Sequence, residues 1–311
     1  MKREILYTMR SPYRDDFNIY GYRFGSGRKA LAVVGAIRGD EVEQQFTCAS
    51  LISSLTEMEQ SGALLAGYEI LVIPSVNPFS MNIGKRFWSM DNTDVNRMFP
   101  GYDKGETTQR IAAALFESVK DYECGVQLAS YYIPGEFIPH VRMLNTGYQP
   151  EHEATYFGLP YVYVKDVMPY DTTLLNYNWQ IWETKAFSIY TGHTDRLAQE
   201  SVTIGQEALL RFMINIGVLN SSVRPGYRSE VISDANFVTI KTKHSGVLRK
   251  YRGAQDSVKR GDLLAEVYDP YDATVLERII APANGVVFFT QEKPLVLEGA
   301  RVFQIIEERM V

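Results

Sequence analysis

The chain has 311 residues, 45% of them hydrophobic, more than one hydrophobic core usually organises, so two domains are expected. Its net charge of −5 arises from 32 basic and 37 acidic residues with the signs interspersed, which excludes a nucleic-acid surface, because phosphate binding relies on dense Lys/Arg patches. No run approaches the roughly 18 apolar residues of a membrane span, and Met1 to Tyr7 lacks an apolar leader core, so no membrane partner is expected and the compartment is read as cytoplasmic. Cys48 and Cys124 fit that reading as small buried hydrophobes in a reduced protein, and neither has a partner at metal-ligand spacing.

Lys29 to Ile37 is a continuous apolar run of the kind that forms a central strand buried on both faces, and Tyr68 to Pro74 is a second. Between them, Val42 to Gln60 carries Phe46, Ala49, Ile52 and Leu55 at roughly helical spacing. Strand, helix, strand in that order predicts a crossover unit and an α/β sheet. A helix follows over Thr107 to Tyr122, with Thr107 or Thr108 as cap and Ile111, Ala112, Leu115, Phe116 and Val119 as its apolar stripe. Gly125 to Tyr131 reads as a short strand. The aromatic residues Tyr131, Tyr132, Tyr161, Tyr163, Tyr177, Trp179 and Trp182 read chiefly as packing. Val202 to Gly217 is a further helix that closes a first domain of residues 1–220.

After Leu219 the chain turns to turn formers, and from Phe237 onward it is all short strands. Residues 221–311 are therefore expected to form a small all-β sandwich or barrel. This domain resembles the lipoyl/biotinyl-carrier sandwich in Asp256 to Gly261 and in Ala281 to Gly285. A carrier would display a modifiable lysine on a hairpin, usually beside methionine, and the sequence offers none there, so a packing role is expected.

The segment richest in chemistry runs from Pro74 to Phe79, through Lys85, Arg86 and Phe87, to Asp94, Asn96, Arg97, Phe99, Pro100 and Gly101. Arginine presents a planar fork of donors that matches a carboxylate, and asparagine adds amide donors. Arg86, Asn96 and Arg97 can thus clamp a free acid, or they can be scattered surface charge. No Gly-x-Ser-x-Gly elbow and no Cys-His pairing is present, and Gly25 to Gly27 is too short for a phosphate loop.

In order, a strand, "Gly-x-x-x-Gly-x-Glu", a helix, "Pro-x-x-Asn-Pro", "Arg-Phe" and "Asp-x-Asn-Arg-x-Phe-Pro-Gly" resemble the succinylglutamate desuccinylase/aspartoacylase family across nearly the whole chain. The resemblance implies a zinc carboxypeptidase-like fold, a mixed, mostly parallel sheet with flanking helices, and the C-terminal sandwich already read. It also implies hydrolysis of amide or ester bonds of small N-acyl compounds, with zinc activating a water and a carboxylate taking its proton.

At the matched positions the machinery is changed. Where the family has His-Gly-x-Glu, this chain has Arg38, Gly39, Asp40 and Glu41, and a guanidinium has no lone pair to give a metal. Its second histidine falls on Ala129, and its catalytic glutamate on Tyr190, a poor general base. Arg38 could instead pair with Glu41 in the former metal pocket. Of the four histidines, His140, His152, His193 and His244, the first reads as a loop residue and His193 lies three residues beyond Tyr190; these two are the candidates to approach the pocket, and each reads as solvated or singly hydrogen-bonded rather than as a ligand.

The expectation is therefore a catalytically degenerate member with no zinc or other cofactor. It would bind a small carboxylate through Arg86, Asn96 and Arg97, with Arg38, Glu41 and Ala129 shaping the old metal pocket. The alternative is an active deacylase with a rearranged metal site, and enzymatic status stays open between the two. A homo-oligomer is compatible with either, and specificity is expected to reside within residues 131–182.

Overall fold

A computed structural model of the chain describes residues 1–191 and 196–308. The strands in chain order are β1 (Lys2–Met9), β2 (Phe17–Gly25), β3 (Gly27–Ala36), β4 (Gly67–Ser75), β5 (Cys124–Leu128), β6 (Gly135–Phe137), β7 (His140–Leu144), β8 (Tyr161–Lys165), β9 (Lys185–Tyr190) and β10 (Glu230–Ser233). The helices are α1 (Val42–Gln60), α2 (Pro78–Met81), α3 (Thr107–Val119), α4 (Glu151–Ala154), α5 (Leu175–Ile181) and α6 (Gln199–Asn215). All of these strands but β6 form one sheet in the order β1-β2-β4-β3-β5-β9-β7-β8-β10. Its centre, β4-β3-β5-β9, is parallel, β7 runs antiparallel to β9, and the β1-β2 hairpin joins β4 antiparallel. The α/β sheet expected from the strand-helix-strand order is present, with the mixed, mostly parallel form that the resemblance implies.

The apolar run of β3 is buried on both faces because its side chains alternate between two cores. Leu31 and Val33 join a cluster with Leu51 and Leu55 of α1 and Leu209 and Phe212 of α6. Ala32 and Val34 join one with Ile111 and Leu115 of α3 and Trp179 of α5. On that second face Ala32, Gly125 and Ala186 stand in register across β3, β5 and β9. This row of small residues leaves the space that Trp179 fills. A Cβ added to Gly125 would meet the indole at 2.7 Å, and the indole Nε1 donates to the Val119 carbonyl at 3.3 Å.

Local boundaries shift for physical reasons. Helix α3 is capped from one residue earlier than the threonines, with the Gln109 side chain accepting the Glu106 N–H at 3.0 Å. Helix α6 begins at Gln199, and β5 ends at Leu128. His140, read as part of a loop, opens β7 and is fully buried. Among the described residues no helix is long and apolar enough to cross a membrane.

By contacts the described residues divide into two units, the first comprising Met1–Ser130, His140–Tyr190 and residues 196–231. The second takes Tyr131–Pro139 and the chain from Ile232, whereas the turn-rich composition pointed to a division after residue 220. Its strands are β11 (Phe237–Lys241), β12 (Gly246–Lys250), β13 (Ser257–Val258), β14 (Leu263–Tyr268), β15 (Val275–Ile280), β16 (Gly285–Gln291), β17 (Leu295–Val296) and β18 (Arg301–Glu307). They make two antiparallel sheets, β11-β18-β16-β13 and β15-β14-β12-β17, around Leu248, Leu264, Val267, Val287 and Phe303. Strand β6 joins the first of these by pairing with β16.

Gly125→Val tests the small-residue row. Overpacking against Trp179 should cost about 1–3 kcal/mol, read as a lower urea midpoint, and an unchanged midpoint would contradict this packing.

Candidate functional site

The site lies where β3, β4 and β5 end, the usual place for chemistry in a parallel sheet. After Ala36 the chain turns through Ile37 to Glu41 into α1. Glu41, the N-terminal cap of that helix, folds its carboxylate back onto the turn, and Oε2 accepts the backbone N–H groups of Ile37 and Arg38, both at 3.0 Å. Glycine is required at position 39, since a Cβ there would lie 2.3 Å from the Lys85 carbonyl oxygen. Its N–H donates to the Arg86 carbonyl at 2.9 Å, which seals the β3–α1 turn against the segment carrying Arg86.

Arg38 is buried, and its guanidinium lies between two carboxylates. Nη1 donates to Glu41 Oε1 at 3.3 Å, Nη2 to Asp94 Oδ2 at 2.9 Å, and Nε to both Asp94 oxygens at 3.2 Å. Burial alone pushes its pKa down, but Glu41 and Asp94, with a further contribution from Tyr190, reverse this and raise it above the ordinary arginine value. The pair expected between Arg38 and Glu41 is therefore present, with Asp94 as an unanticipated second partner. Asp94 also accepts the Asn96 N–H at 3.0 Å, capping the single 3₁₀ turn Val95–Arg97.

The neighbouring residues continue the network. Ser130, just beyond Ala129, donates to Glu41 Oε1 at 2.7 Å. Arg86 Nη2 donates to Ser130 Oγ at 3.2 Å, and Arg86 Nη1 pairs with Asp40 at 2.7 Å. Asp40 and Glu41 thus serve different arginines, as adjacent side chains pointing apart must. Arg97 lies elsewhere: its Nη1 donates to the Tyr170 carbonyl and stands 3.7 Å from Asp171, itself bonded to Lys165, and the guanidinium covers the Tyr170 ring at 5.3 Å. Asn96 is buried, with Oδ1 accepting the Leu175 N–H at 3.4 Å. Arg86 therefore shares one network with Arg38 and Glu41, whereas Asn96 and Arg97 are joined to it through Asp94.

Tyr190 ends β9. Its ring stacks on His140 with centroids 4.8 Å apart and lies under the Arg142 guanidinium at 4.2 Å, and its hydroxyl accepts from Arg142 at 3.2 Å. His140 Nε2 faces Arg142 at 3.3 Å, His152 packs on Tyr156, His244 stands 3.6 Å from Glu277 in the second unit, and His193 lies outside the described residues.

Sequence reasoning missed Asp94, Ser130 and Arg142. Only Asp94 carried a local signal, as an aspartate two residues before Asn96 at the start of a short helical turn. The residues at the three positions where the resemblance implies zinc ligands do not suit that ion: Arg38 offers no lone pair and Ala129 no donor, and Glu41, the one carboxylate left, is paired with the Arg38 guanidinium. Thiol chemistry finds no support either. Both cysteines are free and buried, and burial pushes the Cys124 thiol up to about 12.

A sequence model of the succinylglutamate desuccinylase/aspartoacylase catalytic domain matches residues 27–128. The chain is 23% identical over 263 residues to the N-alpha-acetyl-L-2,4-diaminobutyric acid deacetylase of Halomonas elongata, covering 79% of this chain and 72% of the relative. Among solved structures it is similar to a succinylglutamate desuccinylase from a Silicibacter species, with TM-score 0.81, 18% identity, and 97% and 92% of the two chains covered. It is also similar to the product-bound ectoine utilization protein EutE of Ruegeria pomeroyi, with TM-score 0.79, 19% identity, and 94% and 90% covered. At such identities the structural likenesses establish the fold.

Two measurements check the geometry. Asp94→Ala removes one of the two carboxylates holding Arg38 and should lower stability by about 3 kcal/mol in denaturant titration; a loss within error would show the contact to be idle. Neither thiol should react with a disulfide reagent in the native protein, and both should react once it is unfolded. Rapid native labelling would contradict the burial.

Proposed function

This chain belongs to the succinylglutamate desuccinylase/aspartoacylase family, and on that premise we propose that it binds a small carboxylate-bearing, acyl amino acid-like molecule without hydrolysing it. The observation that carries this reading is the Arg38 guanidinium, buried and paired with Glu41 and Asp94 at the position where a metal would have to act. Tyr190, at the place of the general base, holds its hydroxyl against Arg142. Neither the Lewis acid nor the base of the family's reaction has a residue suited to it among these positions.

Recognition keeps its residues. Arg97 is about one-third exposed and bound mainly to a backbone carbonyl, which leaves donors of its fork for an incoming carboxylate. Asp94 fixes the turn that presents Asn96 and Arg97, while Asp40 and Ser130 orient Arg86. The setting we propose is the cytoplasm, supported by the two free thiols.

A second reading, an active deacylase with a rearranged metal site, is favoured by the deacetylase relative from Halomonas elongata. It needs ligands other than Arg38 and Ala129.

Thermal unfolding of the full chain with N-acetyl-L-aspartate, N-acetyl-L-glutamate, N-succinyl-L-glutamate and succinate separates the readings. At least one should stabilise the protein, by about 2.7 kcal/mol at a hundredfold excess over Kd, and be recovered intact. Arg97→Ala should remove the shift. No shift with any of the four, or release of acetate or succinate that a chelator stops, would contradict the proposal.

A further inference from the structure

We propose that Arg38 is a resident cation: its guanidinium does the neutralising and cross-linking that a bound divalent ion would do between Glu41 and Asp94, and by occupying that space it keeps metal out. The inference rests on the metal-free reading of the site and adds a role for one residue that nothing in the family likeness assigns.

Three observations carry it. The guanidinium contacts carboxylates from two separate segments, its own β3–α1 turn and the turn that presents Asn96 and Arg97, whose Asp94 lies 56 residues from Arg38 in sequence. It thus ties together two loops with no strand pairing between them, as a shared metal ion would. Nearly complete burial of Arg38 and Glu41 means that the carboxylates need a countercharge from within the protein. Finally, the contacts at 2.9 to 3.3 Å place both carboxylates around one small volume filled by the charged group.

A direct consequence follows for substitution at this position. Replacing the guanidinium by imidazole would leave one nitrogen donor and two carboxylates around that volume, a donor set suited to zinc or cobalt(II). Among the described residues the present chain has no group of three or more His, Cys, Asp or Glu placed to hold a metal, so one substitution would create such a group.

The test compares the full chain with Arg38→His, Arg38→Met and Arg38→Lys by thermal unfolding, with chelator and with added zinc, and by visible spectroscopy during cobalt(II) titration. The native chain should unfold at the same temperature under both conditions and give no ligand-field bands. Arg38→His should unfold earlier with chelator, recover with zinc, and develop cobalt bands that saturate at one equivalent. Arg38→Met should unfold earlier whether or not zinc is present, and Arg38→Lys should lie between it and the native chain, since lysine restores charge without the two-sided fork.

Metal-dependent unfolding of the native chain would overturn the inference, as would an Arg38→Met protein as stable as the native one. So would a folded Arg38→His protein with no cobalt bands. If Arg38→His does not fold, the chelator response of the native chain and the Met and Lys comparison still decide the matter. Ligand binding enters none of these readouts, so a failure here is distinct from a failure of the carboxylate reading.

Discussion

One buried ion-pair cluster organises the functional end of the sheet: Arg38 between Glu41 and Asp94. Two carboxylates drawn out of water are unfavourable unless positive charge accompanies them, and here that charge comes from the chain itself. Glu41 at the same time occupies the N-cap position of α1 and accepts with its carboxylate the N–H groups of the turn before it, so the entry to the helix and the charge cluster are one construction. Asp94 does the same for the turn bearing Asn96 and Arg97. The turn bearing Asn96 and Arg97 is thus tied through Asp94 to Arg38, the residue at the position where the family resemblance would place a metal ligand.

The scaffold serves this arrangement through close approach. β3, β4 and β5 run parallel, so the turns that leave them converge at one end. Gly39 lets the β3–α1 turn touch the backbone of residues 85–86, bringing Arg86 beside Asp40 and Ser130. Deeper in, the row Ala32, Gly125 and Ala186 admits Trp179, which sets α5 on the sheet and with it Leu175, whose N–H meets Asn96. Packing and polar placement are therefore linked across a few residues.

Much of this was legible in the sequence because its signals are local. The apolar run of Lys29 to Ile37 could only be a strand buried on both sides, and Arg38 and Glu41, three residues apart in the turn after it, could be expected to meet. The fold class followed from the order of strand and helix signals together with the family resemblance. What was hidden depends on contacts distant in sequence. Nothing near Asp94 announces that it will hold Arg38, and nothing near Tyr131 to Pro139 announces a strand that pairs with β16. His140 reads as a loop residue because it follows Phe137, Ile138 and Pro139, yet pairing with β8 and β9 makes it a buried strand residue. The Asn96–Arg97 pair and Arg86, which the sequence grouped as one clamp, belong to two hydrogen-bonded groups bridged by Arg38 and Asp94.

The central claim is that a guanidinium stands where the family resemblance places zinc. An anomalous difference map at the zinc edge, from crystals of the full chain grown with excess zinc, tests it most directly. The account predicts continuous guanidinium density between Glu41 and Asp94, with no anomalous peak within coordinating distance of either carboxylate. A peak bound to Glu41, with Arg38 turned out of the site, would contradict it.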